Sequence, residues 1–143
     1  MVEVAKLIKR TSPGCKVVFI GPCASKKYEY KLPKTDGAVD CVISFEELQA
    51  FLDARGIDVS TLEESPLNNA SKYGRIFAKS GGITQGVKEL KEKYGITKEI
   101  CPIALNGLEQ IRMAMLKMNA GKLPENFIEG MACEGGCLNG PLC

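Results

Sequence analysis

The segment Phe127-Ile128-Glu129-Gly130-Met131-Ala132-Cys133-Glu134-Gly135-Gly136-Cys137 gives the strongest indication of how this chain folds. Residues 127–132 are typical of a β-strand, and the strand runs directly into two cysteines four positions apart. A second segment, Val17–Ile20, is a short apolar run typical of a strand buried on both faces, and it leads through Gly21-Pro22 to Cys23. Both segments therefore predict cysteines at the carboxyl ends of strands, where parallel sheets bind their ligands.

Helices are predicted between and around these strands. Apolar residues at helical spacing indicate helices over residues 2–9, 45–52 and 84–94, and a longer one capped by Asn106. Ser44 and Glu47 have the spacing of a capping box. Further strands are predicted over residues 39–43 and 100–105, whereas residues 61–82 lack a pattern and are expected to form a functional loop. This alternation predicts an α/β fold, a largely parallel sheet flanked by helices.

Length and composition exclude several classes of protein. The 143 residues suit a single domain, 1–143, and the 45% hydrophobic and 25% charged fractions are those of an ordinary globular protein. A net charge of +2 argues against a nucleic-acid partner. The sequence has neither an apolar run of membrane-spanning length nor an opening that resembles a secretory signal, so we expect a cytoplasmic protein without a membrane partner.

The content of histidine and cysteine narrows the chemistry. The chain has no histidine, which removes the usual general base and the commonest zinc ligand. It has seven cysteines, an odd number that does not suit a disulfide framework in a cytosolic protein. Clustered cysteines without histidine indicate a metal bound by thiolates, either an iron–sulfur cluster or zinc held by cysteines alone.

Cys133 and Cys137 are the strongest ligand candidates, because the two glycines between them allow both thiolates to reach one metal centre. The same glycines let backbone amides approach the sulfur atoms of a cluster. Cys23 is the next candidate: Pro22 stiffens its turn, and Lys26 and Lys27 follow closely.

The other cysteines have weaker claims. Cys41 and Cys101 lie in apolar, strand-like runs and are expected to be buried core residues. Cys15 lies in a turn and is expected to have no role. Cys143 keeps an alternative open, in which Cys23, Cys133, Cys137 and Cys143 form a structural zinc site.

Two motifs give the sequence a family resemblance. Gly21-Pro22-Cys23-Ala24-Ser25-Lys26-Lys27-Tyr28-Glu29 resembles the second signature of iron-only (FeFe-type) hydrogenases, Met-Pro-Cys-x-x-Lys-Lys-x-Glu. Residues 129–140 resemble the third signature, Glu-x-Met-Ala-Cys-x-Gly-Gly-Cys-x-x-Gly. The chain thus resembles the C-terminal domain of the hydrogenase large subunit, as one lobe of its catalytic domain.

The resemblance implies a 4Fe–4S cubane bridged to a di-iron unit, which reversibly reduces protons to hydrogen. Cys23, Cys133 and Cys137 would be cubane ligands, with Cys137 bridging to the di-iron unit. Lys26 would correspond to the lysine that hydrogen-bonds a cyanide ligand, and Met131 to the methionine beside the di-iron unit. Whether the isolated chain retains any of this cofactor is left open.

Three departures from the family pattern indicate a divergent member, of the kind proposed to be sensory. The first signature, Thr-Ser-Cys-Cys-Pro, which supplies the fourth ligand and a proton-relaying thiol, is absent, and residues 11–15 do not replace it. Gly21 stands where the family has methionine, and ferredoxin-like cysteine runs are missing.

We therefore expect a fragment of a longer protein. Its partners would be the N-terminal lobe of the same catalytic domain and a ferredoxin-type electron carrier, and its parent would make or sense hydrogen in an anaerobe. The fragment alone is expected to be inactive. The alternative is a non-catalytic module that keeps only a cubane, as in relatives that act in iron–sulfur protein assembly or regulation.

Overall fold

Parallel strand pairs form the sheets of this chain in its computed structural model, which describes residues 1–67 and 70–143. Strand β1 (Val18–Ile20) pairs with β2 (Cys41–Ile43), and β3 (Pro102–Asn106) pairs with β4 (Phe127–Met131). The two pairs belong to different units of the chain. Unit 1 consists of Met1–Glu64 and Gly140–Cys143, and unit 2 of Ser65–Asn139. The α/β fold class and the parallel pairing are as predicted; a single domain over 1–143 stays a prediction.

Unit 1 contains the first cysteine motif. Its elements are α1 (Val2–Thr11), β1 (Val18–Ile20), α2 (Ala24–Glu29), β2 (Cys41–Ile43) and α3 (Phe45–Ala54). Val18 lies opposite Cys41 and Ile20 opposite Ile43, so both strands end at the same edge. The small core consists of buried Ala5, Ala38, Val39 and Val42.

Unit 2 contains the second cysteine motif. Its elements are α4 (Lys72–Ile76), α5 (Gly82–Lys93), β3 (Pro102–Asn106), α6 (Leu108–Asn119) and β4 (Phe127–Met131). Pro102 lies opposite Phe127 and Asn106 opposite Met131, so both strands end beside the start of the cysteine motif. Leu105, Ala114, Glu129 and Met131 are buried.

The capping box of α3 is confirmed in both directions. The Glu47 amide donates to Ser44 Oγ at 3.1 Å, and the Ser44 amide donates to Glu47 Oε2 at 2.8 Å. These two bonds satisfy backbone amides that a helix N-terminus otherwise leaves without partners.

Three local predictions are corrected. Asn106 does not cap α6: it is the last residue of β3, and Gly107 occupies the N-cap position. The loop expected over 61–82 contains the short helix α4, and residues 68 and 69 of that loop lie outside the described residues. Cys101 is exposed and precedes β3, because the strand begins two residues later than predicted.

The short helix α2 was not predicted. Half of its six residues are charged and none is buried, so it lacks the apolar periodicity on which the prediction of helices relied. None of the helices in the described part of the chain is long and apolar enough to cross a membrane.

Candidate metal centre

Cys133 and Cys137 lie on one tight turn that follows β4. The Gly136 amide donates to the Cys133 carbonyl oxygen at 3.0 Å, which closes the turn. Gly135 and Gly136 have φ angles of +82° and +93°, a backbone region that residues with a Cβ rarely adopt. Both thiol side chains are half-buried. We call residues 133–137 the cysteine turn.

The cysteine turn is fastened along residues 78–80. The Cys137 amide donates to the Ala78 carbonyl oxygen at 2.7 Å, and the Ser80 amide donates to that of Gly135 at 3.4 Å. A Cβ on Gly136 would lie 2.4 Å from the Ala78 oxygen, so only glycine allows so close an approach. The backbone around both cysteines is therefore held in place by its neighbours.

Buried Glu129 holds the segment against which the cysteine turn packs. Its carboxylate accepts hydrogen bonds from the Gly81 amide at 2.9 Å and the Thr84 amide at 2.8 Å, at the start of α5. A helix N-terminus favours negative charge and leaves its first amides unpaired. The sequence motif contains Glu129 but does not by itself assign it a role. The signal for such a role is a carboxylate inside an otherwise apolar strand, because a buried carboxylate requires hydrogen-bond partners.

Three backbone amides of the cysteine turn donate to oxygen atoms of the protein itself. The Gly135 amide donates to Asn106 Oδ1. The Gly136 amide donates to the Cys133 carbonyl oxygen, and the Cys137 amide donates to that of Ala78. The approach of backbone amides to the sulfur atoms of a cluster stays a prediction. The role of Gly135 and Gly136 is to shape the turn that carries the thiols.

Cys23 occupies the corresponding position in unit 1, just beyond β1. It is half-buried and is the N-cap residue of α2, and the Lys26 amide donates to its carbonyl oxygen at 3.2 Å. The Gly21 amide donates to the Ile43 oxygen at 3.1 Å, which ties the motif to the end of β2. The Leu142 amide donates to the Pro22 oxygen at 3.2 Å, so the segment before exposed Cys143 lies beside this motif.

The two lysines that follow Cys23 pair with carboxylates. Lys26 Nζ lies 2.5 Å from Glu29 Oε2, and Lys27 Nζ lies 2.5 Å from Glu47 Oε1. The Lys26 hydrogen bond lowers the pKa of Glu29, and the Lys27 hydrogen bond, with the Ser44 amide, lowers the pKa of Glu47. Lys26 thus forms an ion pair with Glu29, the last residue of the motif.

Met131 is buried at the end of β4, two residues before Cys133. Its carbonyl oxygen accepts a hydrogen bond from the Gly107 amide at 2.8 Å. Cys41, expected to be buried in the core, is only half-buried, because it is the first residue of β2. Cys15 is half-buried in the turn after α1. The role of Met131 beside a cofactor stays a prediction.

The candidate ligands fit a thiolate-bound metal in their chemistry. The cysteine turn brings Cys133 and Cys137 together, whereas Cys23 and Cys143 belong to unit 1. Among the described residues, no group of three or more histidine, cysteine, aspartate or glutamate side chains is arranged to hold a metal ion. Unit 2 thus contributes two half-buried cysteine thiols that lie on one short turn.

The chain resembles known proteins in sequence and in fold. Cytosolic iron-sulfur assembly component 3 of Bos taurus is 27% identical, over 83% of this chain and 33% of its own length. Nuclear prelamin A recognition factor of Xenopus laevis is 24% identical, over 86% of this chain and 35% of its own length. The chain spans about a third of the length of these relatives.

Two solved FeFe-hydrogenase structures share the fold. One, from work on oxygen inactivation, has a TM-score of 0.60 and 20% identity, and the match covers 97% of this chain and 51% of that one. The other, from work on stepwise H-cluster assembly, has a TM-score of 0.57 and 19% identity, over 99% and 53%. The family model described as "Iron only hydrogenase large subunit, C-terminal domain" matches residues 1–141, and the chain therefore belongs to this family.

Proposed function

We propose that this chain is the cluster-binding part of a hydrogenase-like iron–sulfur protein and supplies Cys23, Cys133 and Cys137 to a 4Fe–4S cubane. The observation that carries the proposal is the cysteine turn, which presents two half-buried thiols on a backbone held by Asn106, Ala78 and Ser80. This turn lies in a chain that the family model matches over residues 1–141.

The residues of the chain have separable tasks in this proposal. The cysteines hold the cluster, which supplies electron-transfer chemistry when it is bound. Buried Met131 would lie beside the di-iron unit if the parent protein carries one. Lys26 adds a positive charge next to Cys23, and its pairing with Glu29 fixes the position of that charge.

One observation favours a non-catalytic iron–sulfur module over a complete hydrogenase site. The similar proteins include one named for cytosolic iron–sulfur assembly. The full-length sequence separates the two candidates, because an upstream Thr-Ser-Cys-Cys-Pro signature would favour hydrogen chemistry in the parent protein. We propose that the parent protein is cytoplasmic and that a further lobe of the same protein completes the site.

The second candidate function is hydrogen chemistry in the parent protein, either turnover or sensing. It is favoured by the likeness to FeFe-hydrogenase structures and by the Lys26 and Met131 matches to the signatures. In that case the cofactor would include a di-iron unit, and a ferredoxin-type carrier would deliver electrons.

The test is anaerobic reconstitution of the 143-residue chain with iron and sulfide. We expect about four irons and four sulfides per chain and a broad absorption band at about 400 nm. Cys133→Ser and Cys137→Ser should each lose most of this iron, because each removes one thiolate donor. Cys101→Ser is the matched control, since Cys101 is an exposed cysteine in the same unit.

Other outcomes would contradict the proposal. Tight binding of zinc without stable iron would support the structural zinc site. If Cys101→Ser lost as much iron as Cys133→Ser and Cys137→Ser, the assignment of the cysteine turn as a cluster ligand pair would be wrong. We expect no hydrogen evolution from the reconstituted chain with reduced viologen, measured by gas chromatography. Hydrogen evolution by the chain alone would favour the second candidate function.

A further inference from the structure

Asn106 connects the end of β3 to the centre of the cysteine turn. Its side-chain oxygen Oδ1 accepts a hydrogen bond from the Gly135 amide at 2.7 Å. The length is at the short end of the range for N–H···O bonds in proteins. The two residues are 29 positions apart, so this bond exists only because β3 and β4 end side by side.

Asn106 is itself held by its surroundings. Its amide donates to Gln110 Oε1 at 2.8 Å, and it pairs opposite Met131 in the sheet. The next residue, Gly107, has a φ of +91°, and a Cβ there would lie 3.3 Å from Glu134 Cγ. The Asn106 side chain therefore extends from a fixed backbone to the cysteine turn. Because its oxygen accepts from the Gly135 amide, it does not cap α6, whose N-cap residue is Gly107.

Gly135 is held from both sides. Asn106 takes its amide, and the Ser80 amide donates to its carbonyl oxygen at 3.4 Å. These two contacts fix how the peptide planes between Cys133 and Cys137 are turned. A group that fixes a ligand in this way acts as an outer-shell partner of a metal site.

We propose that Asn106 is a positioning residue for the two thiols of the cysteine turn and, through them, for the cluster. The inference rests on the proposed function for its cluster, but the geometry of the turn can be tested without metal. When the Asn106 acceptor is lost, the Gly135 amide is released, and Cys133 and Cys137 are no longer held in one arrangement.

Asn126 provides a matched control at the other end of the same strand pair. Its Oδ1 accepts from the Cys101 amide at 2.7 Å, and its Nδ2 donates to the Glu99 carbonyl oxygen at 3.1 Å. The bond type and length match those of Asn106, but no cysteine of the turn is involved. Loss of Asn126 removes both of these side-chain bonds, so it measures at least the structural cost of one such bond away from the cysteine turn.

The experiment compares Asn106→Leu, Asn106→Asp and Asn126→Leu in the full chain. Amide exchange at Gly135, followed by NMR, and alkylation rates of Cys133 and Cys137, followed by mass spectrometry, report on the turn without metal. Iron loss to a chelator and the reduction potential report on the reconstituted cluster. If Asn106→Leu does not fold, Asn106→Ala removes the acceptor without adding bulk.

In Asn106→Leu we expect about tenfold faster exchange at Gly135, as for a lost hydrogen bond of ordinary strength. Iron loss should be about 10-fold to 100-fold faster, with a shifted potential. Asn106→Asp keeps an acceptor and should restore slow exchange. Asn126→Leu should lower stability yet leave Gly135 exchange and iron loss unchanged.

Equal effects of Asn106→Leu and Asn126→Leu on Gly135 exchange and thiol alkylation would overturn the inference. Altered exchange with unchanged iron loss and potential would overturn its extension to the cluster. If the unsubstituted chain takes up no cluster, the proposed function fails instead, and exchange and alkylation still decide the role of Asn106.

Discussion

Gly136 lies where the cysteine turn passes closest to the backbone of residues 78–80. A Cβ at this position would lie 2.4 Å from the Ala78 carbonyl oxygen and 2.6 Å from the Ser80 amide nitrogen. Real Cβ contacts are not this short, and both neighbours are backbone atoms that cannot swing away. Gly136 thus serves the packing of the turn as well as its bend.

Gly136→Ala should lower the free energy of unfolding by about 3 kcal/mol, because left-handed backbone strain adds to overpacking. Gly121→Ala is the control: its φ is +65°, but no atom lies within 4 Å of the added Cβ. It should cost only the backbone strain, about 1–2 kcal/mol. Urea unfolding measures both, and equal losses would show that the close approach to Ala78 has no energetic weight.

At the scale of elements, two helices start in different ways. The N-terminus of α3 is capped locally by Ser44 and Glu47, a pattern that the sequence displays directly. In contrast, α5 follows Gly81, which has no side chain to cap it, and receives its carboxylate from Glu129 in β4, 45 residues beyond Thr84. The start of α5 therefore depends on correct docking of β4.

Glu129→Gln should destabilise the chain by about 1–3 kcal/mol, because its NH2 group would face a backbone amide that also donates. Exchange at Gly81 and Thr84 should accelerate in parallel. Glu109→Gln is the control, because Glu109 lies in the first turn of α6 with 76% of its side chain exposed. Its effect should stay within about 0.5 kcal/mol. Thermal unfolding measures the stability of both variants, and NMR measures their amide exchange. Equal stability loss and equal exchange rates in the two variants would contradict the role of Glu129.

At the scale of the whole molecule, ionised carboxylates support the folded chain in both units. The pKa of Asp40 is held well below its usual range by hydrogen bonds from Lys9 and the Val17 amide, and Gln85 and Lys72 lower the pKa of Glu89. A carboxylate whose pKa is lower in the folded than in the unfolded chain stabilises the fold above its ordinary pKa. That contribution is lost as the pH falls through the folded value.

The free energy of unfolding should therefore decline as the pH falls below the ordinary carboxyl values of 4.5 for glutamate and 3.8 for aspartate. Asp40→Asn should lower stability at neutral pH and flatten this decline, because it removes the group with the largest lowering. Lys9→Met, which removes the partner at 2.8 Å, should flatten it as well. Urea unfolding across the acid range tests this, and parallel curves for all three proteins would count against it.

Sequence patterns predicted the features that depend on neighbouring residues. Apolar spacing located α1, α3, α6, β1 and β4 within a few residues, and two contiguous motifs identified the family. The ligand roles of Cys23, Cys133 and Cys137 stay predictions. Helix α2 is not predicted from the sequence, because its six residues include no buried side chain and therefore show no apolar periodicity.

The sequence by itself determined the α/β class, the capping box of α3 and the family, because each depends on patterns or motifs of residues that lie close together in the chain. Only the tertiary structure decided that Asn106 binds the Gly135 amide and that Glu129 caps α5. Periodicity reports which face of an element is apolar, but it does not say which distant amide will lie against a given side chain. The register of β3 and β4 brings Asn106 and Gly135, 29 positions apart, within hydrogen-bond distance. The contact between the start of α5 and β4 does the same for Thr84 and Glu129, which are 45 positions apart.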